Sequence, residues 1–147
     1  MLIGIFGESC TGKSTLADCL KEKLNARVFT GKDYLRLAKS EAEAKRAFQS
    51  LMEDAIDRQD SVIFVISEKD ELSLLPQGAV RVLVTAELDV ICQRFAARMH
   101  GHLPPPVAAM LERKHGCFDG EAHDVHIDGS IAPEDACEQI VAASASF

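Results

Sequence analysis

Gly7-Glu8-Ser9-Cys10-Thr11-Gly12-Lys13-Ser14 fits the phosphate-binding pattern G-x-x-x-x-G-K-[ST] without a gap. Its flanks decide how the pattern is read. Leu2-Ile3-Gly4-Ile5-Phe6 is a short apolar run of buried-strand type, and Ser14 to Leu24 has the periodicity of an amphipathic helix. Strand, glycine-rich loop and helix in that order bring several physical effects to one point. Gly7 and Gly12 permit backbone conformations that a Cβ forbids, so successive N–H groups converge on one anion. The helix opening near Lys13 aims its positive end and its unpaired N–H groups at the same anion. Lys13 is expected to reach the β- and γ-phosphates of a nucleotide, and the Ser14 hydroxyl to ligate Mg²⁺. Gly7, Glu8, Ser9, Cys10, Thr11, Gly12, Lys13, Ser14 and Thr15 are the candidate nucleotide-binding residues, with ATP and Mg²⁺ as the expected cofactors.

The bulk of the chain narrows the classes. Its 147 residues suffice for a single domain, 1–147, with a sizeable core. With 47% hydrophobic and 27% charged residues, the composition is that of an ordinary globular protein. The net charge of −7 and a pI near 5.2 argue against nucleic acid as the main partner. No apolar run approaches the roughly 18 residues of a membrane span, and Met1 leads at once into the first strand, leaving no room for a cleavable signal. The five cysteines (Cys10, Cys19, Cys92, Cys117, Cys137) are scattered with no C-x-x-C, which reads as reduced thiols of a cytoplasmic protein. Cys10, inside the loop, is either a small filler or a thiol whose oxidation blocks nucleotide binding. No motif chooses between monomer and homodimer.

Strand and helix patterns alternate along the whole chain, as in a parallel sheet covered on both faces. The expected strands are Leu2–Phe6, Arg27–Thr30, Ser61–Ile66, Val80–Val84 and Asp124–Ile127. Ala44, Ala47, Phe48, Leu51, Met52, Ala55 and Ile56 mark the clearest helix. Further helices are expected from Asp33 to about Lys39, from Glu87 to about Met99, and from Pro133 to Ala143. Leu72 to Gly78 reads as a connector. His100 to Gly120 holds Pro104-Pro105-Pro106, three glycines and three histidines, and reads as a mobile lid (about 99–121) with one short helix near Val107–Lys114.

The loop fixes nucleotide binding but not its consequence. The chain has no D-x-x-G to sense a γ-phosphate and no N-K-x-D to select guanine; Ser67-Glu68-Lys69-Asp70 differs from the latter in its first positions. Motor and transport ATPases end an apolar strand in Asp, whereas this third strand runs into Ser67-Glu68. The small phosphotransferases remain.

Thr30-Gly31-Lys32-Asp33-Tyr34-Leu35-Arg36 resembles the T-G-D-x-x-R segment of adenylate kinases and related nucleoside monophosphate kinases, with one extra residue between the glycine and the aspartate. The chain looks like the small P-loop kinases that include cytidylate, shikimate and gluconate kinases. The match is close from the first strand to Arg36 and architectural beyond it. The resemblance implies a three-layer α-β-α P-loop NTPase fold, with a five-stranded parallel sheet in order 2-3-1-4-5, helices on both faces and a short lid. It also implies that Arg36 grips the acceptor and that lid arginines stabilise the transferring phosphoryl group.

The residues carry that chemistry on their own terms as well. Asp33 follows a strand's C-terminal end, where open α/β sheets bind ligands, so it either orients an acceptor or caps the next helix. Arg36 faces the acceptor or solvent. Arg94 and Arg98 lie one helical turn apart and share a face, suited to bidentate contact with phosphate oxygens unless that face is merely solvated. Arg113 is a third candidate across the lid. Glu68 serves Mg²⁺ or the acceptor, or is an ordinary loop acid. The five histidines (His100, His102, His115, His123, His126) match no structural-zinc spacing, and strand alternation would point His123 and His126 to opposite faces. The expected function is phosphoryl transfer from ATP to a small acceptor, a nucleotide or nucleoside first and a hydroxylated metabolite second. Catalytic roles fall to Lys13, Asp33, Arg94 and Arg98, and acceptor binding to Asp33, Arg36 and Glu68. The rival reading is an ATP-binding regulatory or partner-binding protein with little turnover.

Overall fold

A computed structural model describes residues 1–58 and 60–145. In chain order the elements are β1 (Leu2–Phe6), α1 (Lys13–Leu24), β2 (Arg27–Thr30), a 3₁₀ turn (Asp33–Leu37) and α2 (Glu41–Asp57). They continue with β3 (Val62–Ile66), a second 3₁₀ turn (Lys69–Leu74), β4 (Val80–Thr85), α3 (Leu88–Arg98), α4 (Pro105–Lys114), β5 (Val125–Asp128) and α5 (Pro133–Ser144). The strands form one parallel sheet in the order β2-β3-β1-β4-β5. That is the order the family resemblance implies.

The uninterrupted apolar runs of β1 and β3 are explained by their central place, since every residue in both is buried. Their side chains alternate between two cores. Phe6, Phe64 and Ile66 pack beneath α2 with Phe48, whose ring lies 4.8 Å from Phe64, 5.0 Å from Phe29 and 5.2 Å from Tyr34. Ile3, Ile5, Ile63 and Val65 pack beneath α1 and α5 with Leu16, Leu20 and Ile140. Helices thus cover both faces and the C-terminal ends of the strands stay open, which places the phosphate loop on the open edge.

Three boundaries depart from the sequence reading. The helix expected from Asp33 to about Lys39 is a 3₁₀ turn that ends at Leu37, and Ala38 is extended (φ −155°). Ser40 then starts α2 afresh, its hydroxyl accepting the Glu43 N–H at 3.2 Å. The connector after β3 is already helical from Lys69. The segment read as a mobile lid packs onto the phosphate loop and β1. Helices α3 and α4 enclose a third cluster in which Ile91 and Leu111 pack against Cys10 of the phosphate loop, and Phe118 is buried with its ring 5.8 Å from Phe6.

Candidate active site

The phosphate loop follows its sequence pattern closely. A Cβ on Gly7 would overlap the Val84 carbonyl oxygen, so only glycine lets β1 turn into the loop against β4. Gly12 takes φ 100° at the start of α1, where no side chain caps the helix and no acid lies in the first turn. The leading N–H groups of α1 therefore have no competing anion in the helix's own cap or first turn. Thr11 closes the loop by donating its hydroxyl to the Glu8 carbonyl at 2.9 Å. Lys13 is 5% exposed and its ammonium donates to the same carbonyl. Burial holds the Lys13 pKa down to about 8; the nearby Cys10 and Glu8 oppose the shift, and Arg98 adds to it. The loop thus presents a nearly dry cation with a neutral partner, beside open helix N–H groups.

A small cavity of about 100 Å³ lies in front of Lys13, bounded by Ser9, Ser14, Thr30, Ser67 and Arg98 among others. A larger one of about 490 Å³ adjoins it between α1, α3 and the β5–α5 loop, walled by Leu16, Val84, Ile127, Ile131 and Pro133 with Arg94 and Arg98 at its rim. The loop residues and Arg98, from distant parts of the chain, therefore meet around one cleft. Thr30, which opens the segment whose resemblance pointed to the acceptor site, belongs to it too, and so does Ser67, to which the sequence reading gave no role. Both stand at C-terminal strand ends, and that position was the available signal.

The other sequence candidates are placed differently. Arg94 donates to the Cys10 carbonyl at 3.0 Å and to the Gly129 carbonyl at 3.3 Å, so its guanidinium ties the phosphate loop to the β5–α5 loop. It braces a strained point, because Cys10 is a non-glycine residue at φ 63°. Asp33 does not cap the 3₁₀ turn it opens, where Lys32 holds the cap position; its Oδ2 accepts the Thr30 N–H at 3.0 Å and fixes the end of β2. Arg36 is exposed and has no ion pair among the described residues. Glu68 is 61% exposed, leans toward Lys114 at 4.0 Å, and lines neither cavity. Arg113 is exposed in the last turn of α4. Glu8 turns its carboxylate away from the cleft, accepting the Gly116 N–H at 3.2 Å and standing 3.1 Å from His115 Nδ1.

One acid escaped the sequence reading altogether. Glu71, in the 3₁₀ turn after β3, is 7% exposed, and its Oε2 has no hydrogen-bond partner among the described residues. Burial pushes its pKa up, and the neighbouring Asp70 and Glu68 push it further. A charged residue among charged neighbours gives no periodic signal of burial.

Compared by sequence, the chain matches no family model and no curated protein. Compared by structure, it is similar to a gluconokinase from Sinorhizobium meliloti, with a TM-score of 0.63, 16% identity, and 98% of this chain and 91% of that one covered. It is similar to a shikimate kinase from Acinetobacter baumannii solved with shikimate, with a TM-score of 0.67, 16% identity and coverage of 99% and 93%. A sugar kinase from Janibacter aligns with a TM-score of 0.65, 15% identity and coverage of 96% and 92%. The fold is that of the small P-loop kinases. Among the described residues, no helix is long and apolar enough to cross a membrane.

Proposed function

We propose that this chain is a small-molecule kinase that moves the γ-phosphoryl group of Mg·ATP to a hydroxyl-bearing acceptor. The observation that carries the reading is Lys13, a buried ammonium paired only with a carbonyl, at an uncapped helix start. Such a site is built for a polyanion, which returns to the lysine the electrostatic stabilisation that burial removed. The loop N–H groups and Lys13 hold the phosphates, and Ser14, at the open start of α1, is the hydroxyl suited to Mg²⁺. The apolar walls of the larger cavity suit the nucleotide base. Arg98 faces Lys13 across the small cavity, where charge develops during transfer. Asp33 is not among the residues lining the small cavity; its Oδ2 holds the Thr30 N–H and so sets the position of Thr30 at the cavity's edge.

Two observations favour a hydroxylated metabolite over a nucleoside monophosphate as acceptor. The acceptor side of the small cavity offers the hydroxyls of Thr30 and Ser67, and no arginine besides Arg98 lines it. An acceptor phosphate calls for a guanidinium, and Arg36 is not among the lining residues. The solved kinases of the same fold include proteins described as gluconokinase, shikimate kinase and sugar kinase.

A second reading, nucleotide binding with little turnover, draws on Glu68. The acid at the end of β3 points away, and no carboxylate lines the small cavity. The test is ADP release from Mg·ATP over a panel of polyols, sugar acids, nucleosides and nucleoside monophosphates, with Lys13→Ala as the blank. Acceptor-dependent release with a hydroxyl compound supports the kinase. Binding of ATP with a flat response across the panel supports the second reading.

A further inference from the structure

Three alternate residues, from the end of β1 into the phosphate loop, meet the stretch that runs from α4 towards β5. The Phe6 ring lies 5.8 Å from that of Phe118. Glu8 meets His115 and Gly116. Cys10 packs with Leu111. The outer two contacts are apolar, and the middle one is polar.

The Glu8 side chain is 10% exposed. Its Oε1 stands 3.1 Å from His115 Nδ1, and its Oε2 accepts the Gly116 N–H at 3.2 Å. Gly116 presents that N–H from a left-handed backbone (φ 80°), and a Cβ there would come 3.2 Å from the Asp119 carboxylate. Hydrogen bonds to a charged acceptor are stronger than neutral ones, and burial strengthens them further. The main chain of the same residue faces the other way. The Glu8 carbonyl accepts the Thr11 hydroxyl at 2.9 Å and the Lys13 ammonium. Each residue has only two soft backbone dihedrals, so a side chain tied at both oxygens restricts the direction of its own carbonyl. A free carboxylate in a phosphate loop would oppose the anion that the loop awaits. Turned away and bonded at both oxygens, this one does not.

We propose that Glu8 is a positioning residue that couples the segment after α4 to Lys13: its carboxylate holds His115 and Gly116 while its carbonyl holds the ammonium, so the seating of residues 115–118 sets where the ammonium stands before nucleotide arrives. The anion concerned is the triphosphate of the kinase reading, on which this role rests in that one respect. With the segment seated, the loop is preorganised and ATP meets Lys13 in place. With it released, ordering the loop costs part of the binding free energy and affinity falls.

Glu8→Gln and Glu8→Ala both remove the charge, but only glutamine keeps an oxygen for the Gly116 N–H and an NH₂ for neutral His115 Nδ1. Comparing the two variants therefore reads the held contacts and not the charge. Calorimetry on the full chain should show Mg·ATP bound about tenfold more weakly by Glu8→Ala than by Glu8→Gln, the scale of two neutral hydrogen bonds. ¹⁵N NMR of the nucleotide-free chain should show the Lys13 ammonium resonance shifted or exchange-broadened in Glu8→Ala and restored towards wild type in Glu8→Gln. Equal ATP affinity in the two variants overturns the coupling. So does a Lys13 resonance indifferent to Glu8→Ala, even with a lowered Tm, because Glu8 then only anchors the segment. A wild-type chain that binds no ATP overturns the proposed function instead, and the ammonium resonance still decides the coupling. Circular dichroism checks the fold. If Glu8→Ala is unfolded, His115→Ala decides, since that side chain is 35% exposed and its loss removes the Oε1 contact. ATP binding weakened about threefold or more, the scale of one hydrogen bond, supports the coupling, and unchanged binding overturns it.

Discussion

Lys13 is the residue on which the site turns, and its protonation gives a direct readout. In the free protein burial holds its pKa near 8, and a bound triphosphate raises it again. ATP binding at about pH 8.5 should therefore take up protons, and binding at about pH 6.5 should take up none through this group. Calorimetry in buffers of different ionisation enthalpy measures the uptake. The two arginines of α3 should separate. Arg98→Ala should lower kcat by about 10²–10³ with ATP affinity nearly kept, as for loss of one transition-state donor. Arg94→Ala removes the hydrogen bonds to Cys10 and Gly129 and should weaken ATP binding about tenfold with a lowered Tm, the scale of a charged hydrogen bond. Steady-state kinetics and thermal melts distinguish the two. Glu71 has a folded pKa raised above its unfolded value. The native state then holds its proton more tightly, so stability from this group is present below about pH 4.5 and falls as pH rises through the folded pKa. Glu71→Gln should accordingly raise Tm at neutral pH and make little difference near pH 4. The geometry of the phosphate loop was legible because the loop is one contiguous stretch. The bracing role of Arg94 was not, because its partners lie 84 and 35 residues away, and a helical wheel shows only which face the arginine occupies.

At the scale of elements, the caps and turns decide the boundaries. Ser40→Ala removes the cap of α2 and should cost about 1 kcal/mol, read from denaturant midpoints. The sequence pattern located all five strands and the long helices because apolar periodicity is strong there. It marked α2 by its apolar positions from Ala44 onward, and the exposed first turn (Glu41, Ala42, Glu43) adds no apolar mark, so only the Ser40 cap announces where the helix starts. It expected one short helix within His100–Gly120, near Val107–Lys114, and that helix is α4 (Pro105–Lys114). Where the helix packs was not legible: Leu111 meets Cys10 of the phosphate loop and the Phe118 ring lies 5.8 Å from Phe6 of β1, contacts between distant parts of the chain that no local period encodes.

For the whole molecule, the sheet order brings together what the chain separates. β1 stands between β3 and β4, so the loop after β1 opens between Thr30 and Ser67 on one side and the β5–α5 loop on the other. On the proposed function, acceptor and nucleotide have separate flanks with Lys13 between them. That arrangement is a property of topology, and strand order entered the sequence reading only through the family resemblance. The acceptor's identity stays outside the motif because hydroxyls such as Thr30 and Ser67 recognise many compounds. The most direct measurement is ³¹P NMR of the chain with Mg·ATP and the acceptor that best stimulates ADP release. The account predicts loss of the γ-phosphate resonance with growth of a phosphate monoester on the acceptor, abolished in Lys13→Ala. Inorganic phosphate as the sole product, or an unchanged ATP spectrum despite saturating binding, would contradict it.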